Sequence, residues 1–160
     1  MDGGSIEEQI IELTAPGLHQ VNNSLAAAAC AIAVGVKLPQ IAAGLASVAG
    51  IAGRQEIKFL GNGAKVIDDS YNASPSSFEV AIDVLANCGG RRVLVMGDMG
   101  ELGDHAKELH REVGLYAKNA KIDSLYAVGA NSGIASQEFM GQHFPDQAAL
   151  IDSLRAQIIE

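Results

Sequence analysis

Val66-Ile67-Asp68-Asp69-Ser70-Tyr71-Asn72-Ala73-Ser74-Pro75 is the stretch on which the fold turns. It reads as a short strand, Lys65 to Asp68, that ends in polar residues and passes into a helix. The β-branched Val66 and Ile67 suit a buried strand. Ser74 is a good N-cap, and Pro75 fits the first helical position, where its missing N–H needs no partner. Phe78, Ala81, Ile82 and Leu85 then recur at i, i+3, i+4 and i+7, one face of an amphipathic helix. In an open α/β sheet, ligands bind beyond the carboxyl ends of the strands. Asp68 and Asp69 stand there, two neighbouring carboxylates that disfavour each other's ionisation. Spacing alone leaves two readings open: a solvated turn, or a carboxylate aimed at a sugar hydroxyl or a metal-bound phosphate.

Upstream, Glu56 to Leu60 and Lys65 to Asp68 flank Gly61-Asn62-Gly63, a hairpin signal. Downstream, Gly89-Gly90 breaks the chain, and Arg92 to Met96 is a continuous apolar run, as expected of a central parallel strand. It leads into Gly97-Asp98-Met99-Gly100-Glu101-Leu102-Gly103, spaced G-x-x-G-x-x-G, so the dinucleotide fingerprint G-x-G-x-x-G is not met. Asp104 is placed to cap a helix with Leu109, Val113, Tyr116 and Ala120 as its buried stripe. His105 and His110 lie five apart and make a poor metal pair. Leu125 to Val128 reads as another buried strand. Residues 131 to 141 and 147 to 159 read as helices, the second capped by Asp146, with His143 and Phe144 packing at their junction.

The first 52 residues differ in character. Gln9 to Leu13 is a plausible strand, followed by a turn at Ala15-Pro16-Gly17. The run after His19 is Ala-rich and helical, with Asn22, Asn23 or Ser24 as caps. Gly35 ends it, and Leu38-Pro39 opens a second helix, Gln40 to Val48. Gly50 to Arg54 reads as a hinge. The expected fold class is α/β: a mostly parallel Rossmann-like sheet with flanking helices, preceded by a helical segment.

Composition bounds the rest. The 160 residues are 48% hydrophobic but only 4% aromatic, so the core must be aliphatic. A net charge of −8 argues against a nucleic-acid partner, which would need a basic face. One local arginine or helix N-terminus would still suffice for a phosphate. Cys30 and Cys88 make no metal spacing or disulfide framework, which points to a reducing cytosol. The start carries no secretory signal. The apolar run Leu25 to Val36 is short of the ~20 residues a membrane span needs. A cytoplasmic location is expected.

Three strings carry a resemblance: PGLHQVNNSLAAAA at 16–29, VIDDSYNASP at 66–75 and GDMGELG at 97–103. They resemble the Mur ligase family, and within it the MurF type, ATP-dependent ligases that add D-alanyl-D-alanine to UDP-MurNAc-tripeptide in peptidoglycan synthesis. The resemblance implies that Asn23 contacts the adenine edge, that His19 sits beside the nucleotide, that Arg54 reaches ATP phosphates and that Asp69 binds the ribose. It implies a substrate cleft with Tyr71, Asn72, Ser74, Asp98 and Glu101, and His110 nearby. Two departures stand out. Gln20 replaces a usual Asn, and Ser74 replaces the second Asn of SYNANP. The family's P-loop, G-x-x-x-x-G-K-[ST], and its carbamylated lysine are absent, so ATP and Mg²⁺ both need a part not in this sequence. The expected division is residues 1–52 as the end of a central ATP-binding domain and 53–160 as most of a C-terminal domain, inactive alone. Another class remains open: a non-catalytic α/β phosphate- or metal-binding module using Asp68, Asp69 and Asp98. Against its receiver-like form, no lysine follows the Leu125–Val128 strand.

Overall fold

The computed structural model describes residues 7–13, 17–48 and 52–158. Helices α1 (Leu18–Ala33) and α2 (Leu38–Ala46) come first. A hairpin of β1 (Glu56–Phe59) and β2 (Lys65–Asp68) follows, and then α3 (Pro75–Ala86). The remainder alternates: β3 (Val93–Met96), a 3₁₀ turn at Gly103–His105, α4 (Ala106–Asn119), β4 (Ser124–Val128), α5 (Ser132–Phe139), β5 (Gln142–Phe144) and α6 (Gln147–Ile158). The fold class is the expected α/β, but its strands divide into two sheets. β1 and β2 pair antiparallel. β3, β4 and β5 form a parallel sheet in that order.

The deciding stretch therefore belongs to a hairpin and not to the parallel sheet. Lys65 and Val66 are exposed and Ile67 half-buried, which corrects the expectation of a buried strand. With two strands and no covering layer, neither face of the hairpin is dry. The Asn-Gly turn forms as expected, with Asn62 Oδ1 accepting from Ala64 N–H at 3.1 Å.

β4 is the central strand of the parallel sheet, with Leu125, Tyr126 and Ala127 buried. β3, expected to be central, is an edge. Its Leu94 and Met96 are buried while Val95 on the other face is 47% exposed. β5 falls where the sequence reads as a junction between helices; three residues give too little pattern to register as a strand. It pairs Tyr126 with Gln142 through Val128 with Phe144, and the Tyr126 and Phe144 rings lie 5.8 Å apart.

The core is one cluster drawn from α3 to α5: Ile82, Leu94, Met96, Met99, Val113, Ala117, Ile122, Leu125, Ala127 and Ala135. It is aliphatic, as composition requires. In α4 the fully buried positions are His110, Val113, Gly114 and Ala117, so the inward face is centred to one side of the expected stripe, of which Val113 is buried and Tyr116 and Ala120 pack partly buried against the core. The cause is Gly114. A Cβ there would stand 2.3 Å from the Ala135 carbonyl oxygen, so its absence lets α4 and α5 pack backbone against backbone.

The local signals err mainly at helix starts. Ser74 caps α3 as expected, its Oγ accepting from Ser77 N–H at 3.2 Å. Asp146 Oδ1 accepts from Ala149 N–H at 2.8 Å as α6 begins. α1 starts at Leu18 with no side-chain cap, which leaves Asn22, Asn23 and Ser24 inside the helix. Asp104 lies in the 3₁₀ turn, and α4 has no side-chain cap. Gly35, at φ +86°, ends α1 as expected. Gln9–Leu13 has no regular structure, contrary to the strand reading. Part of the expected turn, Ala15-Pro16, and part of the hinge, Gly50-Ile51, lie outside the described residues. Among the described residues, no helix is long and apolar enough to cross a membrane.

Candidate functional site

Three segments far apart in sequence meet at one open cleft of about 310 Å³. The first turns of α1 supply His19, Gln20 and Asn23. The residues just before β1 supply Arg54 and Gln55. Asp69 and the start of α3, with Ser76, Ser77 and Val80, close the other wall. His19 and Asn23 are one helical turn apart, so they share a face of α1. The volume lies at the small end of the range for ligand sites. The donor set is mixed: a guanidinium, a carboxylate, a carboxamide, an imidazole and the N-terminal turn of a helix. That combination can meet a base edge, a sugar hydroxyl and a phosphate at once.

Asp68 and Asp69 are neighbours with different fates. Asp68 closes the hairpin: its Oδ2 is 2.8 Å from Lys58 Nζ, and its Oδ1 accepts from Ser70 Oγ at 2.6 Å and Ser70 N–H at 3.2 Å. Lys58, then Ser70, hold its carboxyl well below the usual range, at about 2. Asp69 lies past the strand and faces the cleft. Its Oδ1 accepts from Gln55 N–H at 3.2 Å. One acid is a brace and the other is presented, which removes the like-charge difficulty of the bare sequence.

Arg54 is exposed and lies over the Tyr71 ring, 4.2 Å from its centroid. Such a stack holds a cation in place without neutralising it. The Tyr71 backbone N–H donates to Gly53 O at 2.9 Å, tying the two segments together beneath the stack.

The expected substrate residues are less closely gathered. None of Tyr71, Asn72, Ser74, Asp98, Glu101 and His110 lines the cleft. Asn72 is exposed, and its Oδ1 accepts from Ala73 N–H. The Ser74 hydroxyl is occupied with the α3 cap. Glu101 is exposed at φ +60°. Asp98 Oδ1 accepts from Asn131 N–H at 3.0 Å, from Ser132 N–H at 2.6 Å and from the Ser132 hydroxyl. Burial opposes the charge, yet these Ser132 and Asn131 bonds hold the Asp98 carboxyl below its usual value. Asp98 thus caps α5 from the end of β3 through its Oδ1. His110 has 0% exposure. Its Nε2 accepts from Met99 N–H at 2.9 Å, and its Nδ1 is 2.6 Å from Ala106 O. A backbone N–H can only donate, so Nε2 is bare and Nδ1 carries the proton. Among the described residues, no group of three or more His, Cys, Asp or Glu side chains is placed to hold a metal ion.

Sequence reading missed Gln55, Ser76, Ser77 and Val80 as lining residues. The serines had a signal, a polar first helical turn just after a ligand-edge acid. Gln55 had none.

Residues 53–159 match the family described as "Mur ligase, glutamate ligase domain". The chain is 42% identical over 158 residues to the UDP-N-acetylmuramoyl-tripeptide–D-alanyl-D-alanine ligase of Escherichia coli (strain K12), covering 98% of this chain and 34% of that protein. It superposes on a crystal structure of MurF from Acinetobacter baumannii with a TM-score of 0.86 at 36% identity, over 92% of this chain and 33% of that one. A MurF ligase from Thermotoga maritima in complex with ADP aligns at TM-score 0.75 and 26% identity, over 90% of this chain and 33% of that one. The chain spans about a third of the length of these relatives.

Proposed function

The chain belongs to the Mur ligase family, and from that premise we propose that it is the nucleotide-closing part of an ATP-dependent peptide ligase of peptidoglycan synthesis. Residues 1–52 continue a central ATP-binding domain, and residues 53–160 form the domain that folds over the nucleotide. The substrates are ATP, UDP-MurNAc-tripeptide and D-alanyl-D-alanine, the last two carried over from the name of the Escherichia coli relative. The reaction runs in two steps. The tripeptide's terminal carboxylate takes the γ-phosphoryl group of ATP, giving an acyl phosphate and ADP. The amine of D-alanyl-D-alanine then attacks the acyl carbon, and inorganic phosphate leaves. Such catalysis is mainly positioning and charge stabilisation.

The observation that carries this reading is the meeting of His19, Asn23, Arg54 and Asp69 around one cleft. Asn23 offers the adenine edge a donor and an acceptor, and Asp69 accepts from ribose hydroxyls. Arg54 binds phosphate oxygens, and His19 lies alongside. Mg²⁺, the usual companion of ATP, would neutralise phosphate charge when bound; among the described residues no group of three or more His, Cys, Asp or Glu side chains is placed to hold it. Tyr71, Asn72, Ser74, Asp98, Glu101 and His110 belong to the acceptor side, His110 by supporting the Asp98–Glu101 loop from beneath. The setting is cytoplasmic, where ATP is available.

Asp69→Asn in the complete polypeptide that carries this chain is the test. Loss of a charged acceptor should weaken ATP binding about ten- to a hundredfold, with the melting temperature little changed. Unchanged ATP affinity would refute the assignment. The 160 residues contain no P-loop motif and should show no ligase turnover by themselves.

A further inference from the structure

Gln55 sits in the wall of the cleft in a condition that the fold does not explain. It is 7% exposed, and its Oε1 is buried with no hydrogen-bond partner. Among the described residues it is the one buried side-chain nitrogen or oxygen left so. Buried polar atoms are nearly always paired, and an exception calls for a reason. Its backbone is also unusual, at φ +51°. Of the four described non-glycine residues with positive φ, Lys121 and Met140 follow helix ends, where a left-handed residue is common. Gln55 follows no helix end; it lies between Arg54 and β1. Strain and an orphan acceptor together at a cavity wall mark a residue kept for a ligand.

The neighbours say which part of a ligand. Gln55 N–H donates to Asp69 Oδ1 at 3.2 Å, so the strained backbone holds the carboxylate that faces the cleft. The same residue places a carboxamide beside it. On the reading that Asp69 takes the ribose, we infer that Gln55 is a second ribose-recognising residue, its Oε1 accepting from one sugar hydroxyl while Asp69 accepts from the other. The last torsion of a glutamine side chain is broad and soft. A half-turn about it exchanges the amide oxygen and nitrogen with no change in the backbone. An acceptor without a partner in the free cleft then gains one on binding.

The test is a set of affinities in the complete polypeptide, read with ATP, 2′-deoxy-ATP and 3′-deoxy-ATP. Gln55→Met keeps length and removes the acceptor. It should weaken ATP binding about three- to tenfold, the range for one neutral hydrogen bond, and cost nothing further with the deoxynucleotide lacking the hydroxyl concerned. The melting temperature should not fall, because an unpaired buried oxygen has been removed. Gln55→Asn tolerates a left-handed φ and withdraws the oxygen by one carbon; it should give the same affinity pattern if Gln55→Met does not fold. Equal losses for all three nucleotides, or none, would overturn the inference. Asp69→Asn is measured alongside. If it weakens ATP and the Gln55 variants do not, the role of Gln55 fails alone. If neither changes affinity, the nucleotide reading of the cleft fails with it.

Discussion

Replacing His110 by leucine separates a supporting role from a substrate contact. The imidazole joins the end of β3 to α4 through two bonds, Met99 N–H to Nε2 at 2.9 Å and Nδ1–H to Ala106 O at 2.6 Å. Both His110, at 0% exposure, and Met99, at 3%, are shut away from water. Leucine has a similar volume, so the cavity term is small, but Met99 N–H loses its acceptor in the core. An orphaned buried donor costs about 1–3 kcal/mol, and the second bond adds roughly 0.5–1.5 kcal/mol. The sum is about 1.5–4.5 kcal/mol. At about 2–4 °C per kcal/mol for a chain of this size, melting should fall by about 3–18 °C. Urea unfolding followed by circular dichroism, with calorimetry, measures both quantities. A glutamine side chain is long enough to return an acceptor to Met99 N–H, so His110→Gln should recover about half of the loss. His110→Ala adds a cavity and should be worse than His110→Leu. The reasoning fails if His110→Leu unfolds within about 0.5 kcal/mol of the parent while the KM for the dipeptide rises in the complete polypeptide. That result would make the imidazole a substrate contact.

Gly114→Ala should be among the most destabilising single-methyl additions, because the new Cβ would meet the Ala135 backbone at 2.3 Å. A loss of about 1–3 kcal/mol or more in denaturant unfolding is expected. Acid titration of the fold should show only a small loss of stability between about pH 4 and pH 2, because the ion pairs concerned are partly solvent-exposed and screened. Asp68 and Asp123 have carboxyls lowered from 3.8 to about 2, by Lys58 and by Arg92 respectively. A lowered folded pKa gives stability that is present above the unfolded value and disappears as pH falls through the folded one. A transition confined above pH 5 would count against this. Lys58→Met should leave the urea midpoint at neutral pH nearly unchanged, because its pairs with Asp68 and Glu56 are solvent-exposed and such pairs contribute little. Tyr71→Leu removes the ring under Arg54 and should weaken ATP binding less than Asp69→Asn does, with both read by calorimetry.

The sequence by itself determined the local pieces whose causes are local. Ser74-Pro75 starts α3, Gly35 ends α1, and Asn62-Gly63 turns the hairpin, each through the conformation of one or two residues. The 3.6-residue period of Phe78, Ala81, Ile82 and Leu85 marked the buried face of α3. The motif strings carried the family, and with it the expectation for His19, Asn23, Arg54 and Asp69, which the fold gathers around one cleft. Only the tertiary structure decided the rest, because those outcomes depend on partners distant in the chain. Strand pairing kept the hairpin apart from the parallel sheet and made β3 an edge. Ser132, 34 residues from Asp98, drew that acid into a helix cap. The approach of α5 at Gly114 turned α4 so that His110 points inward. Gln55 carries no motif and no period. Its significance arises where a strained backbone meets Asp69 across 14 residues of chain, and no local rule reads across such a gap.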